Sequence, residues 1–311
     1  MRNFVILALL GFAAQLVDGA LGMAYGATSS TLLVGVAGLT PAIASTAVHL
    51  GEMGTTAVSG VSHWRFGNVD WSKIVWLAIP GGIGAFLGAV ALVGISAEVA
   101  EPLVAVFLFS LGVYVLARFS FKRNERPVIL RPIGKKFLGP LGAVAGFLDA
   151  AGGGGWGPIS TPTLLSSGRM EPRKVIGTVD TSEFIVAVCA SIGFFFALSF
   201  AEVPWNVVGA LLVGGVVAAP IAAYVVRILP TRILGTAVGG LILVTNMRTF
   251  LGAIGLRSDP VIPWLIYAVI VAVWIAALVF AIQMVRQERT AVERTAVEQP
   301  AVEQPGEGSP A

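Results

Sequence analysis

The chain has 311 residues, of which 56% are hydrophobic and 12% charged, and its formal net charge at pH 7 is +3. Soluble domains carry about 25% charged residues, so a mean hydropathy of +0.86 excludes an ordinary soluble protein. The basic residues lie in short stretches between apolar blocks, which is not the pattern of a nucleic-acid-binding surface. Cys189 is the only cysteine, so no intrachain disulfide can form. We predict an all-α, multi-pass membrane protein whose environment is the lipid bilayer.

The chain divides into two similar halves. After a first apolar stretch, three spans are predicted near 41–63, 71–95 and 99–119; a second stretch at 136–168 precedes spans near 173–199, 204–227 and 233–253, and a last span covers 261–285. Arg2 and the apolar run behind it are similar to a secretory signal, but residues 7–33 match an internal segment, which favours a place in the mature fold. The predicted organisation is 1–119 first repeat, 120–135 basic cytoplasmic linker, 136–255 second repeat, 256–286 last helix without a partner, and 287–311 disordered tail.

One unusual pattern occurs twice, at a constant offset of 131 residues. Each copy is an apolar segment that contains an acid, several glycines and a hydroxyl residue; the matched pairs are Asp18/Asp149, Gly22/Gly153, Gly26/Gly157 and Ser29/Ser160. The same register extends to Glu52/Glu183. A duplicated, glycine-interrupted apolar segment is the best sequence-level indication of a binding site in a transporter.

Loop charges predict that the halves have opposite orientations in the membrane. The turn at 38–41 has no Lys or Arg, whereas its counterpart contains Arg169, Arg173 and Lys174. In the later loops too, a loop with basic residues in one half corresponds to a loop without them in the other half. The positive-inside rule requires this of an inverted-topology repeat. The N-terminus is then outside and the tail cytoplasmic.

Each repeat is predicted to start with a broken helix. Residues 136–168 lie between two positive loops, are too long for one span and too short for two, and are interrupted at 152–158 by glycine and Pro158. A re-entrant pair of half-helices accounts for this, provided that the irregular backbone is buried in protein or lines a cavity. A single span kinked at the proline is the alternative.

The repeated segments contain the predicted substrate site. Asp18 and Asp149 are either functional intramembrane carboxylates or caps for backbone N–H groups freed at the break. Ser29, Ser30, Ser160 and Thr161 are predicted at the start of the second half-helices, with Pro158 in the first turn, where N–H groups and the helix dipole attract an anion. Close packing of helices through Gly and Ser is the alternative. Tyr25 and Trp156 either border the site or pack as aromatic residues; the full substrate set is Asp18, Gly22, Tyr25, Gly26, Ser29, Ser30, Asp149, Gly153, Trp156, Gly157, Ser160 and Thr161.

Polar residues on the following helices are candidates for a pathway or for proton coupling. Thr46, His49 and Glu52 fall on one helix face, although His49 is expected close to a helix end. Their counterparts are Asp180, Thr181 and Glu183. Bonds to neighbouring helices would explain the same residues. Asn246 is predicted to bond to a neighbouring helix.

No enzyme motif occurs: the sequence has no G-x-S-x-G, H-E-x-x-H or Walker loop, and its glycine run lacks the βαβ context of a dinucleotide site. We therefore expect no catalytic residues, metal or cofactor. Without an ATP-binding loop, a secondary carrier or a channel is favoured.

The glycine and aspartate segments at 11–26 and 142–157, together with Thr-Pro-Ala-Ile-Ala-Ser-Thr at 40–46, resemble the TauE/SafE family of sulfite-exporter-like permeases. The first copy has Leu21, Met23 and Ala24 where the family pattern has glycines, so the second copy is the closer match. The resemblance implies a plasma-membrane carrier for sulfite, sulfonates or related small anions. The predicted function is a secondary transporter of a small sulfur-containing or carboxylate anion, with proton coupling as a further hypothesis. A passive anion channel and a non-transport membrane enzyme or assembly subunit are the alternatives.

Overall fold

The described part of the chain is helical throughout. The structure, a computed structural model, describes residues 2–23, 25–35, 37–121, 133–167, 169–198, 200–225, 230–256 and 260–298. Within these ranges the helices are α1 Arg2–Leu21, α2 Tyr25–Gly35, α3 Pro41–Arg65, α4 Trp71–Val93, α5 Ala97–Phe121, α6 Lys135–Gly152, α7 Trp156–Ser167, α8 Pro172–Ala197, α9 Trp205–Val225, α10 Thr231–Ala253 and α11 Ile262–Glu298, with a short 3₁₀ helix at Phe200–Glu202. The all-α class is confirmed.

Six described helices are long and apolar enough to cross a membrane: α1, α4, α5, α8, α9 and α11. Helix α3 has 25 residues, enough for about 37 Å, but its many polar side chains lower its hydropathy. The apolar part of α11 is only 11% buried, which leaves its surface for lipid. The chain is a multi-pass membrane protein.

Helix α11 extends beyond the predicted end of the last span. It continues to Glu298, so the prediction of disorder is wrong for residues 287–298. Ala, Glu, Arg and Gln are strong helix formers, and the next proline comes only at Pro300. The rest of the predicted tail, 299–311, and most of the predicted linker, 122–132, lie outside the described residues.

The two halves are interleaved rather than side by side. Helix α1 packs along α9, and α6 packs along the matched helix α4. A Cβ atom on Gly11 would overlap the backbone of Leu211, and one on Gly146 would overlap the backbone of Gly81. Small residues at these contacts let the helix backbones approach closely, as in other membrane bundles.

The contacts between helices also give their directions. Gly51 and Thr55 of α3 adjoin Leu211 and Gly215 of α9 in the same order along the chain, so α3 and α9 are parallel. Helix α1 shows the same order against α9, whereas α6 and α8 are both parallel to α4. In contrast, α3 and α8 are antiparallel: Gly60 adjoins Thr181, and His49 adjoins Phe194. The first helices of the two halves thus point in opposite directions; the inverted-topology repeat itself stays a prediction.

Each pair of half-helices forms a hairpin. Helices α1 and α3 run in the same direction, and only residues 36–40 join the end of α2 to the start of α3. The Tyr25 hydroxyl, at the start of α2, adjoins Gly51 in the middle of α3. Helix α2 therefore returns toward the side from which α1 began. The same geometry applies to α7, whose first residue Trp156 adjoins Gly81 in the middle of α4.

Candidate functional site

The two helix breaks lie at matched positions and differ in their glycine content. In the first hairpin, α1 ends at Leu21 and Gly22 has a φ of 63°. In the second, Gly153 has a φ of 76° and Gly154 a φ of 146°. A φ near 146° is sterically open to glycine alone, whereas the left-handed values near 70° strain other residues less. The second break therefore depends more strongly on glycine, in agreement with its glycine-richer sequence.

The tips of the two hairpins touch. A Cβ atom on Gly26 would lie 2.9 Å from Cα of Gly154. A Cβ atom on Gly157 would meet the backbone of Gly22 and Met23. These four glycines give the tips the room to cross, and both tips are buried.

Two hydroxyl residues make reciprocal contacts across the crossing. Thr161 Oγ1 donates a hydrogen bond to the Gly22 carbonyl. Its counterpart Ser30 has its Oγ about 2.8 Å from the point where Gly153 would place a Cβ. Each hydroxyl thus lies against the left-handed glycine of the opposite hairpin. These two contacts are therefore equivalent despite the differences in sequence.

Both repeated acids cap the half-helices that follow them. Asp149 Oδ1 accepts hydrogen bonds from the backbone N–H groups of Gly155, at 2.7 Å, and Trp156, at 2.9 Å. Asp18 Oδ1 accepts one longer bond, 3.4 Å, from the Tyr25 N–H. A carboxylate at a helix N-terminus satisfies free N–H groups and interacts favourably with the dipole. The capping geometry is therefore present in both halves, and it takes up N–H groups that an anion would otherwise use.

The second half-helices start earlier than the sequence analysis placed them. Helices α2 and α7 begin at Tyr25 and Trp156, so Ser29 and Ser160 lie one turn inside, where their own N–H groups belong to the helix ladder. The aromatic residues start these helices because the aspartate caps reach their N–H groups. Pro158 lies in the first turn, as predicted.

Three hydroxyls near the crossing have no protein hydrogen-bond partner among the described residues. They belong to Ser29, Ser30 and Ser160, and all three are buried. Helical side chains tilt toward the N-terminus of their own helix, so these hydroxyls lean toward the breaks. Buried polar groups normally find partners, which makes an unpartnered set beside two helix starts a candidate ligand contact.

His49 and Asp149 share a proton. His49 Nδ1 lies 2.8 Å from the Ser45 carbonyl oxygen, which can only accept, so Nδ1 bears a hydrogen. Its Nε2 lies 3.1 Å from Asp149 Oδ2. A hydrogen bond here requires one more proton, on the imidazole or on the carboxyl group. Contrary to the expectation of a helix-end position, His49 is fully buried in α3.

The structure brings the acids and the predicted pathway residues into two clusters. One consists of His49, Glu52 and Asp149, and the other of Asp18, Asp180 and Glu183. Within each cluster the side-chain ligand atoms lie within 4.8 Å of one another, and every member is buried. The sequence indicated these residues singly but not their grouping, because each cluster combines one residue from one half with two from the other.

The remaining predicted residues make bonds inside the bundle. The Tyr25 hydroxyl donates to the Leu211 carbonyl at 3.4 Å, and Trp156 Nε1 donates to the Val179 carbonyl at 3.0 Å. Thr46 and Thr181 donate to carbonyls in their own helices and lie outside both clusters. Asn246 donates to the Ala105 carbonyl of a neighbouring helix, as expected.

The sequence analysis missed part of a polar stripe on α3. The complete stripe has spacings of three and four residues: Ser45, His49, Glu52, Thr56, Ser59 and His63, all buried. Ser45 donates to the Ala150 carbonyl of the second hairpin, and His63 Nε2 lies 3.0 Å from the Gly19 carbonyl of the first. The helical period of these residues was the signal that could have found them. Helix α3 thus contacts both hairpins along one polar face.

The buried centre is acidic. Five carboxylates and His49 lie in the two clusters, and the buried arginines of the described chain, Arg118 and Arg232, lie elsewhere. Arg232 bonds to the Ser120 carbonyl and pairs with Glu288 at 3.2 Å, where α5, α10 and α11 meet. Any anion at the crossing would meet hydroxyls, helix dipoles and bound protons rather than a fixed arginine.

Comparison with known proteins gives one family match and one curated relative. A family model described as "Sulfite exporter TauE/SafE" matches residues 7–249, which include both hairpins and both clusters. A curated relative from Bacillus subtilis (strain 168), "Probable membrane transporter protein YtnM", is 48% identical over 288 residues, covering 92% of this chain and 94% of the relative. No solved structure matches the chain. On the extent of these matches, the chain belongs to the sulfite exporter TauE/SafE family.

Proposed function

We propose that this protein is a secondary transporter that moves a small anion across the plasma membrane, and that protons are coupled to the movement. The substrate class is sulfite, a sulfonate or a related sulfur-containing or carboxylate anion. The crossing of the two hairpin tips is the substrate site. Membership of the sulfite exporter family and the printed name of the Bacillus relative support transport as the activity.

The observation that carries the proposal is a set of three buried hydroxyls at the crossing, Ser29, Ser30 and Ser160, which find no hydrogen-bond partner in the part of the chain that the structure describes. They belong to the first two turns of α2 and α7, where the positive ends of two helix dipoles lie. Discontinuous helices with their half-helix N-termini at a central site are the arrangement by which other carriers bind anionic groups. A hydrated oxyanion that enters this site exchanges water for hydroxyl donors.

The charge of the centre supports the proposal of proton coupling. An anion close to five carboxylates is repelled unless some of them are neutralised. The hydrogen bond between His49 and Asp149 already holds an exchangeable proton, and Asp149 also holds the start of α7. Protonation at this pair would lower the repulsion as the anion enters, and release of the proton would favour its exit.

Flux into proteoliposomes tests the proposal. We expect the purified protein to catalyse uptake of sulfite or sulfoacetate, and Asp149→Asn to lower the rate at least about tenfold, which corresponds to about 1.4 kcal/mol. Asp70→Asn is the matched control, since this half-exposed carboxylate caps α4 outside the centre. Absence of flux for every small anion offered would overturn the proposal.

An imposed pH gradient separates a coupled carrier from a passive channel. The proposal predicts that a proton gradient drives uptake against the anion gradient, and that a protonophore abolishes this accumulation. Flux that follows the anion gradient alone, at the same rate with and without a pH gradient, would identify a channel.

A further inference from the structure

The two buried clusters are copies of one arrangement. At the 131-residue offset, Asp18 matches Asp149, His49 matches Asp180 and Glu52 matches Glu183. Each cluster contains the capping acid of one hairpin and two residues, three positions apart, from a long helix of the other half. The clusters are therefore two versions of the same site, and a difference between them is informative.

The difference is a single residue type. Where one cluster has the imidazole of His49, the other has the carboxyl group of Asp180. In the first cluster a protonated imidazole can supply positive charge to the two carboxylates beside it, with Nε2 at 3.1 Å from Asp149 and 4.0 Å from Glu52. The second cluster consists of carboxyl groups alone and so has no positive group of its own.

His63, the nearest histidine, bonds to groups outside the cluster. Its Nε2 lies 3.8 Å from Asp180, but it is nearer to the Gly19 carbonyl, at 3.0 Å. Its Nδ1 faces the side-chain amide of Asn68 at 3.2 Å. Asp18 Oδ2 and Glu183 Oε2 have no hydrogen-bond partner among the described residues, so these carboxyl oxygens are open to a ligand.

Neutral polar groups extend the second cluster. The Gln15 side chain is fully buried, and neither its amide oxygen nor its amide nitrogen has a hydrogen-bond partner among the described residues. Its Nε2 and the Ser59 hydroxyl both lie within 3.5 Å of the point where Gly19 would place a Cβ. Ser59 in turn adjoins the Asp180 carboxyl group. The counterparts of Gln15 and Ser59 are Gly146 and Ala190, so the first cluster lacks these groups.

We propose that Asp18, Asp180 and Glu183, with Gln15 and Ser59 beside them, form a binding site for a hard metal cation of the size of Na⁺ or Ca²⁺. Carboxylate, amide and hydroxyl oxygens are the ligands such cations prefer. Two oxygens on one ion lie at most two metal–oxygen distances apart, which is about 4.6 to 5.2 Å for Ca²⁺ and about 4.2 Å for Mg²⁺. The ligand atoms of the cluster lie within 4.8 Å of one another, so one Ca²⁺ can contact all three carboxyl groups, whereas Mg²⁺ demands a near-ideal octahedral shell and usually keeps several waters.

The pairing assigns different cations to the two clusters. His49 is the built-in positive group of one, and the metal ion is the positive group of the other. The binding of the metal ion is independent of the proposed transport function and can be measured without any flux.

Thermal unfolding of the full-length protein in detergent gives the first measurement. We expect the unfolding temperature to rise with Na⁺ or Ca²⁺ concentration and to saturate, as for a ligand that binds only the folded state. K⁺ and Mg²⁺ at equal ionic strength are the size controls and should have smaller effects. The proposal is overturned if neither Na⁺ nor Ca²⁺ gives a saturable rise.

Exchange of the distinguishing residue gives the second measurement. Asp180→His places an imidazole where the other cluster has one, and we expect the saturable rise to disappear; Asp180→Asn, a smaller change, should weaken the apparent affinity at least about tenfold. Asp70→Asn is the control and should respond as wild type does. If both Asp180 variants keep the wild-type response, the cation binds elsewhere and the proposal fails.

The reverse exchange tests the symmetry of the two clusters. His49→Asp converts the first cluster to carboxyl groups alone, and equilibrium binding of radioactive calcium or sodium should then show an additional site per chain. Cation binding in a protein without anion flux would overturn the transport function and leave this inference intact. Flux without cation binding would do the reverse.

Discussion

The two hairpin tips have the same geometry but hold their acids differently. Asp149 accepts two short backbone hydrogen bonds and pairs with His49, whereas Asp18 accepts one long bond and lies among other carboxyl groups. The carboxyl oxygens of Asp149 thus all have partners, which makes the second tip a closed network. The first tip is an open network, because the Asp18 carboxyl group has an acceptor atom that is not used by any described residue. The two tips therefore share the backbone crossing, which close packing requires, but differ in the groups that surround their acids.

The largest loss of stability should come from substitution of Gly154, whose counterpart in the first tip is not a glycine. Gly154→Ala forces a side chain into a φ of 146° and against the backbone of Ala27, so we expect a loss of about 3 kcal/mol or more in stability and little folded protein. Gly38→Ala is the matched control, because its φ is also positive, at 70°, but nothing lies within 4 Å; it should cost about 1 to 2 kcal/mol. Size-exclusion profiles and thermal unfolding in detergent measure both. Similar behaviour of the two variants would show that the crossing is not tightly packed.

Substitution of the two capping acids should lower the stability of the protein by different amounts. Asp149→Asn removes the carboxyl group that shares a proton with buried His49 and weakens a cap, for an expected loss of about 3 kcal/mol. Asp18→Asn removes a charge from an acidic cluster and keeps an acceptor for the Tyr25 N–H, so its loss should be below about 1 kcal/mol. Denaturant titration of both variants gives the comparison. Equal losses would contradict the difference between the closed and the open network.

The aromatic residues at the two helix starts provide a smaller test. Trp156→Phe deletes the hydrogen bond from Nε1 to the Val179 carbonyl and should cost about 1 kcal/mol. Tyr25→Phe deletes a longer bond to the Leu211 carbonyl and should cost less than about 0.5 kcal/mol. The difference in unfolding free energy between the two variants checks the prediction. A larger loss of unfolding free energy for Tyr25→Phe would contradict the prediction that the second tip is held by the stronger hydrogen bonds.

The smallest effect on stability is expected at the unpartnered hydroxyls. Ser160→Ala and Ser29→Ala remove hydroxyls that make no hydrogen bond to any described residue, so the unfolding free energy should change by less than about 0.5 kcal/mol. Anion flux should nevertheless fall if these hydroxyls contact the substrate. Ser62→Ala, which removes a part-buried hydroxyl of α3 outside the stripe that bonds to the Val58 carbonyl, is the control for flux. Unchanged flux in both serine variants would remove the hydroxyls from the substrate site.

Much of the fold could be predicted because membrane helices are recognisable in a sequence by their length and hydropathy. The seven predicted long spans all correspond to helices, and the breaks were located by glycine and proline. The exact helix starts could not be predicted. Tyr25 and Trp156 are the first residues of α2 and α7 because their N–H groups donate to Asp18 and Asp149, which precede them. Such a cap depends on the conformation of the intervening turn.

The sequence by itself determined the membrane class, the duplication, the two broken helices and most residues of the buried centre. These follow from local composition and from a constant offset, which need no knowledge of contacts. Only the tertiary structure decided that the acids form two separate clusters, that His49 and Asp180 occupy equivalent places in them, and that the serine hydroxyls lack hydrogen-bond partners among the described residues. The physical reason is that each cluster joins residues from opposite halves of the chain, and that the partners of a buried hydroxyl depend on which helices pack around it, whereas sequence periodicity describes one helix at a time.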